Sequence, residues 1–476
     1  HRQLRCRGAS RDDRERNFVF GSCVTPSNFR PRSPAALTEA MFLSVLASTD
    51  PYCNEAMDTG VIPPLPPATE LLQVHALIRH GSRTKCSTGS ECWAGDADAV
   101  YECSAALLEG PDADAASGGV LFEKLYTRGK NQLRGNCALG QLVASGLQMQ
   151  RANGLHLRAA YGAILPTNVS GNEHAFLLRS DDSPRTVASG QALFAAMYDG
   201  HAGGRTPVPW HTEDSEGENT IVCSSQVVCP AYGSAVAAAT ARSANSSHHA
   251  AVTVPLATRL STALNRIVLP AEIPKLLDCL MSAQCPTVPS SGGDPPPSFT
   301  AALQQAAIDE TTHQLFAVHN DSAVARFGAG VLIGEIAASM RAAVRGTPQT
   351  PRFVLLSGHD TGPMAPVLAA LRIGGREFPR FGDLIAIELH RRHGQVEEGE
   401  AVGRGGDSKA VGQADSTMVR VVHNGEVVTR HIPGCPDTAL CPFGAFYATA
   451  ILLVPTPAEC GRGDSPDWWP SLPPLG

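Results

Sequence analysis

Aromatic and charged side chains are scarce in this chain. Of its 476 residues, 5% are aromatic and 17% are charged. So low a charge density excludes the self-repelling composition of acidic disordered proteins. A basic excess is also missing: 38 Lys and Arg stand against 45 Asp and Glu, a net charge of −7. A surface that tracks a phosphate backbone is therefore not expected, and neither is a nucleic-acid partner. No run reaches 18 apolar residues, so no membrane span is expected in this chain. The first residues, HRQLRCRGASRDDRERN, are charged and do not read as a signal peptide. Collagen-like, coiled-coil and membrane-bundle compositions are all excluded. What is plentiful is Gly (45), Pro (36) and Cys (14), within a chain that is 43% hydrophobic. That combination predicts a globular protein with a large core and long loops.

Fourteen cysteines exceed the needs of an ordinary cytosolic enzyme. Four pairs share the spacing C-x5-C: Cys86/Cys92, Cys223/Cys229, Cys279/Cys285 and Cys435/Cys441. Zinc sites favour C-x2-4-C with matched further ligands. We therefore expect short disulfide loops in an oxidising compartment, with the connectivity left open. Three glycosylation sequons, beginning at Asn168, Asn245 and Asn320, point the same way.

Hydrophobic patterning predicts alternating strands and helices. Residues 1–65 read as an irregular leader that ends in a Pro-rich stretch. Leu71–Ile78 is a short apolar run that stops at Arg79-His80-Gly81, as a buried strand feeding a loop would. Residues 138–162 have helical spacing, with Leu142, Leu147, Met149, Leu155 and Leu157 read as core. Phe176–Leu178 is a second strand, ending at Arg179. Residues 186–198 and 328–345 are helical. Phe353–Leu356 is a third strand, stopping before His359-Asp360. A helix at 362–371 and a strand at 384–389 follow. Residues 394–418 read as a polar insertion, and Asn424-Gly425 marks a hairpin. This order predicts an α/β fold. The expected organisation is a core of residues 66–202 and 316–460, a cap or insertion at 203–315, and a Pro-rich tail at 461–476.

Ligands in open α/β sheets bind beyond the carboxyl ends of strands. Arg79, His80, Arg83, Arg179, His359 and Asp360 should therefore converge. Several guanidiniums at one sheet edge repel one another unless an anion sits among them, and arginine is well suited to bidentate phosphate binding. Their charge lowers the pKa of a neighbouring imidazole and keeps it a neutral nucleophile. An adjacent Asp can protonate a leaving alkoxide. The chemistry is phosphoryl transfer through histidine, with no metal or cofactor required, because the arginines supply the positive charge. Arg185 reads more readily as an ion-pair partner than as a ligand. His248-His249 reads as a solvated loop, and His390 and His393 as an exposed strand end.

The same residues carry a family resemblance. Arg79-His80-Gly81-Ser82-Arg83 resembles the RHGxRxP signature of the histidine acid phosphatases. Arg179-Ser-Asp-Asp-Ser-Pro-Arg185-Thr186 resembles their RSTDxxRT segment, and His359-Asp360-Thr361 their HD motif. Gly140-Gln141-Leu142 with Gly146 is similar to the GQLTxxG helix start, and Cys441-Pro442-Phe443 to the closing CPL segment. The resemblance implies a mixed-sheet, phosphoglycerate-mutase-like α/β core with an inserted, mainly α-helical cap. It implies acid phosphatase activity on phosphate monoesters. His80 would be the nucleophile and Asp360 the proton donor. Arg79, Arg83 and Arg179 would bind phosphate, and His359 would add a hydrogen bond. Residues 150–161, Pro379-Arg380-Phe381 and Cys441–Phe446 resemble most a Golgi branch that acts on phosphorylated xylose of glycans. Phytase, lysophospholipid phosphatase and an inactive secreted binding protein on the same fold are the alternatives. Lys85, Asp181 and Gly362 depart from the family's Pro, Thr and Thr.

Overall fold

The apolar run that ends at Arg79 is the centre of the sheet in the computed structural model. The structure describes residues 60–86, 92–101, 103, 133–198, 208–212, 228–285, 293–375, 377–393, 416–463, 469–473 and 475. All of these lie within a unit formed by Ala47–Gly476. The strands are β1 (Thr69–Arg79), β2 (Val100–Tyr101), β3 (Arg134–Gly135), β4 (Phe176–Ser180), β5 (Phe353–Gly358), β6 (Leu384–Arg392), β7 (Thr417–His423), β8 (Glu426–Val427) and β9 (Cys441–Pro442). The helices are α1 (Ala144–Tyr161), α2 (Pro184–Met197), α3 (Ala231–Ala244), α4 (Val254–Leu264), α5 (Ile273–Gln284), α6 (Ala301–His319), α7 (Ser322–Val344), α8 (Met364–Ala370) and α9 (Phe443–Leu453).

Seven strands form one mixed sheet in the order β4-β5-β1-β6-β7-β8, with β9 also on β7. β4, β5 and β1 run parallel, in the register Leu178↔Leu355 and Ala76↔Leu355. β6 returns antiparallel to β1, with Leu77 opposite Ile385. Near-continuous apolar runs such as FVLLSG suit strands covered on both faces. Leu77, Leu356 and Ile387 pack on one face against α7, α8 and α9, with Leu332, Val367 and Phe446. Val74, Ile78 and Leu355 pack on the other against α1 and α2, with Leu157 and Leu193. The fold is α/β, as expected. Between α2 and α7 the described residues are mainly helical.

Several local expectations are corrected. α1 begins only at Ala144, because Gly140 takes a positive φ of 65° and Leu142 bridges Arg83 instead. Of its predicted core positions, Leu155 is 54% exposed. The hairpin turn forms, with φ 47° at Asn424 and 84° at Gly425. Its second arm stops after Val427 and becomes a 3-10 turn at Thr429–His431. His248 is in a helical segment and bonds a buried carboxylate. His390 is fully buried between Thr69 and Glu388. Residues 60–65 of the predicted leader are irregular but anchored, since Arg420 donates to the Pro63 and Pro64 carbonyls. Residues 1–59 and most of the polar insertion lie outside the described residues. α7 is long and apolar enough to cross a bilayer, but 67% of its apolar window is buried inside the protein.

The disulfides differ most from expectation. Cys435 pairs with Cys441 as predicted. The others described are long-range: Cys92–Cys279, Cys103–Cys137 and Cys229–Cys460. Cys86 is a free, exposed thiol, and Cys223 lies outside the described residues. Geometry forbids a Cys279–Cys285 loop. Six residues of helix separate two Cα atoms by about 9 Å, beyond the ~7 Å reach of a disulfide.

Candidate active site

Parallel pairing of β1 with β5 brings Arg79-His80 and His359-Asp360 to the same sheet edge. The loop after β1 is held by its backbone: the His80 N–H donates to the Gly358 carbonyl at 2.9 Å, and the Gly382 N–H to the His80 carbonyl at 3.1 Å. The Gln150 amide of α1 donates to the Arg79 carbonyl at 2.7 Å. Ser189 of α2 accepts the Gly81 N–H at 3.1 Å. Gly81 and the start of α1 are in backbone contact. A Cβ on Gly81 would lie 2.1 Å from the Gly146 carbonyl oxygen, and one on Gly146 would lie 2.2 Å from that of Ser82. Neither clash can be relieved by a side-chain movement, so both glycines are required.

His80 is buried, and its Nδ1 lies 2.8 Å from the Gly81 carbonyl oxygen. A carbonyl only accepts, so Nδ1 carries the proton and Nε2 the lone pair. Burial pushes the His80 pKa well below the ordinary histidine range, and the Arg83, Arg79 and Arg185 charges push it further. The imidazole is therefore neutral, with a free basic nitrogen.

Arg79 is buried over the Phe381 ring, its guanidinium carbon 4.4 Å from the ring centre. It donates to the Pro379 carbonyl and pairs with Asp360 at 3.0 Å. Arg83 pairs at 2.8 Å with Asp278 of α5. Burial alone would raise the Asp360 pKa, but the Arg79 and Arg83 charges outweigh it and hold the carboxyl below its usual range.

Arg179 and Arg185 have exchanged the positions expected of them. Arg179 pairs with Glu335 of α7 at 2.9 Å. Arg185 places Nη2 3.3 Å from His359 Nδ1. The physical reason is strand geometry. A residue within β4 points off a sheet face, whereas Arg185 opens α2 just past the strand end, where the crevice lies. The Nε atoms of Arg79, Arg83 and Arg185 are all buried without a hydrogen-bond partner.

His359 is engaged at both ring nitrogens. Nε2 lies 2.8 Å from the Asp181 carboxylate, and Nδ1 faces Arg185. The carboxylate accepts and the guanidinium donates, so Nε2–H is the protonated nitrogen. His359 thus orients Arg185, and in this arrangement it has no donor left for a ligand. Asp181, a departure from the family pattern, is the group that orients His359. Lys85 replaces the family's Pro and is buried in an ion pair with Asp96. Asp278 and Phe381 are not recognisable from sequence as parts of the site, whereas Asp181 is marked there as a departure that puts a negative charge beside it. Phe381 stood in a noted motif, but Asp278 has no local signal.

The arrangement presents a neutral imidazole lone pair, three converging cations and one carboxylate. That set can accept a phosphoryl group and deliver a proton to a leaving oxygen. A family model described as the histidine phosphatase superfamily (branch 2) matches residues 70–424. Counting factor 60 of Dictyostelium discoideum is 26% identical over 404 residues, covering 82% of this chain and 88% of that protein. 2-phosphoxylose phosphatase 1 of Danio rerio is 24% identical over 466 residues, covering 87% and 86%. Testicular acid phosphatase of Homo sapiens is 26% identical over 319 residues, covering 65% and 70%. Among solved structures, Hafnia alvei phytase in complex with myo-inositol hexakis sulphate superposes with a TM-score of 0.52. Its identity is 14%, over 83% of this chain and 99% of that one. That likeness shows the fold.

Proposed function

The chain belongs to branch 2 of the histidine phosphatase superfamily and is a phosphatase, and we propose that it hydrolyses phosphate monoesters through a phosphohistidine at His80. The observation that carries this reading is the neutral, buried His80 with its Nε2 lone pair among Arg79, Arg83 and Arg185. In the first step Nε2 attacks phosphorus, the phosphorus–oxygen bond to the leaving group breaks, and Asp360 protonates the departing alkoxide. In the second step water attacks the phosphohistidine, Asp360 takes its proton, and phosphate leaves. The arginines hold the phosphoryl oxygens in both steps. A bound phosphate dianion offsets the Arg79 and Arg83 charges that keep Asp360 ionised, which lets the carboxyl carry a proton when it is needed. Arg185 takes the ligand role that the sequence assigned to Arg179, with His359 and Asp181 holding it in place.

We assign residues 66–202 and 316–460 to the catalytic core and 203–315 to a cap over the site. The substrate we propose is a phosphorylated sugar, with phosphoxylosyl glycans first. Support comes from the likeness to a 2-phosphoxylose phosphatase over 87% of this chain. A secretory-pathway location fits the long-range disulfides, which form in oxidising compartments, and the exposed sequon residues Asn168, Asn245 and Asn320. The test is phosphate release from 4-nitrophenyl phosphate and from xylose 2-phosphate at mildly acidic pH, with and without EDTA. Release that survives chelation and vanishes in His80→Ala supports the reading. Phosphate binding without turnover supports an inactive binding protein instead.

A further inference from the structure

A chamber of about 580 Å³ opens beside Asp360 and Thr361. Its size is that of a small-molecule site, roughly 300–1,000 Å³. One wall is a single face of α6, where Leu315, Val318 and His319 recur at helical spacing. Val236 of α3 and Phe378 add further apolar surface. Among the described residues that line it there is no lysine and no arginine. Negative charge is present: Asp360 at one end, and buried Glu310 behind the wall, which accepts hydrogen bonds from His248 at 2.8 Å and Thr253 at 2.7 Å.

His319 is different from His248. It is 6% exposed, and its Nδ1 is buried with no hydrogen-bond partner. Nδ1 is turned into the protein, so the edge of the ring that lines the chamber is the Nε2 edge, which is free to bond what binds there. Burial lowers the His319 pKa to about 4 against the opposing pull of Asp360. The ring is therefore neutral above that pH and offers a hydrogen bond without a charge.

We infer that this chamber holds the leaving group, that it suits an uncharged alcohol with an apolar face and a hydroxyl beside it, and that His319 is the anchor for that hydroxyl. A sugar ring has this chemistry: a C–H face for Val318 and Phe378, and hydroxyls at its rim. A leaving group with further phosphates fits less well, because the lining offers it the Asp360 carboxylate and an apolar wall, with the imidazoles of His248, His249 and His319 but no lysine or arginine. The inference rests on the phosphatase reading of the adjoining site and narrows its substrate class to monoesters of neutral alcohols.

Steady-state kinetics on xylose 2-phosphate, phenyl phosphate and phytate tests it. The unaltered protein should turn over xylose 2-phosphate with a kcat/KM at least about 100-fold above that for phytate, a comparison that needs no variant. His319→Leu should raise KM for xylose 2-phosphate about tenfold, the size of one lost hydrogen bond, and change kcat little. Its effect on phenyl phosphate, which has no second hydroxyl, should be under threefold. His319→Gln should recover part of the loss. Phytate turned over as well as xylose 2-phosphate would overturn the inference and leave the phosphatase reading standing. Equal losses on the two monoesters would overturn the anchor role. No turnover of any substrate, with His80 intact, would overturn both.

Discussion

Replacing Arg185 tests where the third phosphate-binding charge lies. Arg185→Gln keeps a polar side chain of similar reach at the start of α2 but removes the cation facing His359. At about 4 Å and an effective dielectric of about 20, one unit charge acts on another with roughly 4 kcal/mol. Arg185 is partly exposed, so solvent screens some of this, and a net loss of about 2–3 kcal/mol is reasonable. That corresponds to a fall of roughly 30- to 150-fold in kcat/KM. The matched control is Arg179→Gln. Arg179 pairs with Glu335 at partly exposed positions, where ion pairs contribute about 1 kcal/mol or less to stability. It should lower the melting temperature by a few degrees and kcat/KM by less than threefold. The assay is initial-rate release of 4-nitrophenol at pH 5.5, with product inhibition by inorganic phosphate measured beside it. Phosphate inhibition should weaken about as much as kcat/KM falls in the Arg185 variant. A full loss in Arg179→Gln with near-normal Arg185→Gln would refute the geometric assignment and restore the one made from sequence.

Three further outcomes follow from the same structure. Asp360→Asn removes the proton donor, so its kcat should fall about 1,000-fold on alkyl phosphates and far less on 4-nitrophenyl phosphate; equal slowing of both would contradict the assignment. His75 and His319 are buried neutral, with pKa values lowered to about 3 and about 4. The unfolded chain therefore binds protons between pH 6.5 and 4 that the folded chain does not, and stability must fall as pH falls through that window. Thermal denaturation from pH 7 to 4 should show this, and His319→Leu should flatten the slope by close to one proton. Finally, Cys92–Cys279 closes a loop of sequence separation 187 and sits beside Asp278, the partner of Arg83. Serine at both positions should cost up to about 5 kcal/mol in the chain-entropy view and should lower activity through Arg83; unaltered melting and activity would count against both roles.

The parts of the site that can be read in the sequence are those placed by strands. Arg79-His80 and His359-Asp360 each follow an apolar run, and parallel pairing of those runs is enough to bring them together. Arg179 also follows an apolar run, but it is still within β4 and its side chain leaves through the sheet face; a one-residue uncertainty in a strand end changes where a side chain points. Asp278 and His319 reach the site from helices more than 190 residues from the loop after β1, with no motif around them. The disulfides fail for the same reason: a repeated spacing describes neighbours in sequence, whereas Cys229 and Cys460 are joined by the fold. His390 looked exposed because arginines follow it, yet the strand's inward period carries it to the buried Glu388.

The central claim is that His80 carries the phosphoryl group. Rapid acid-free quenching of the protein with a ³²P-labelled monoester, followed by alkaline peptide mapping, measures it directly. The account expects an acid-labile, base-stable label on the peptide containing His80, absent in His80→Ala and accumulating when water attack is slowed. A label on another residue, or full turnover by His80→Ala, would contradict it.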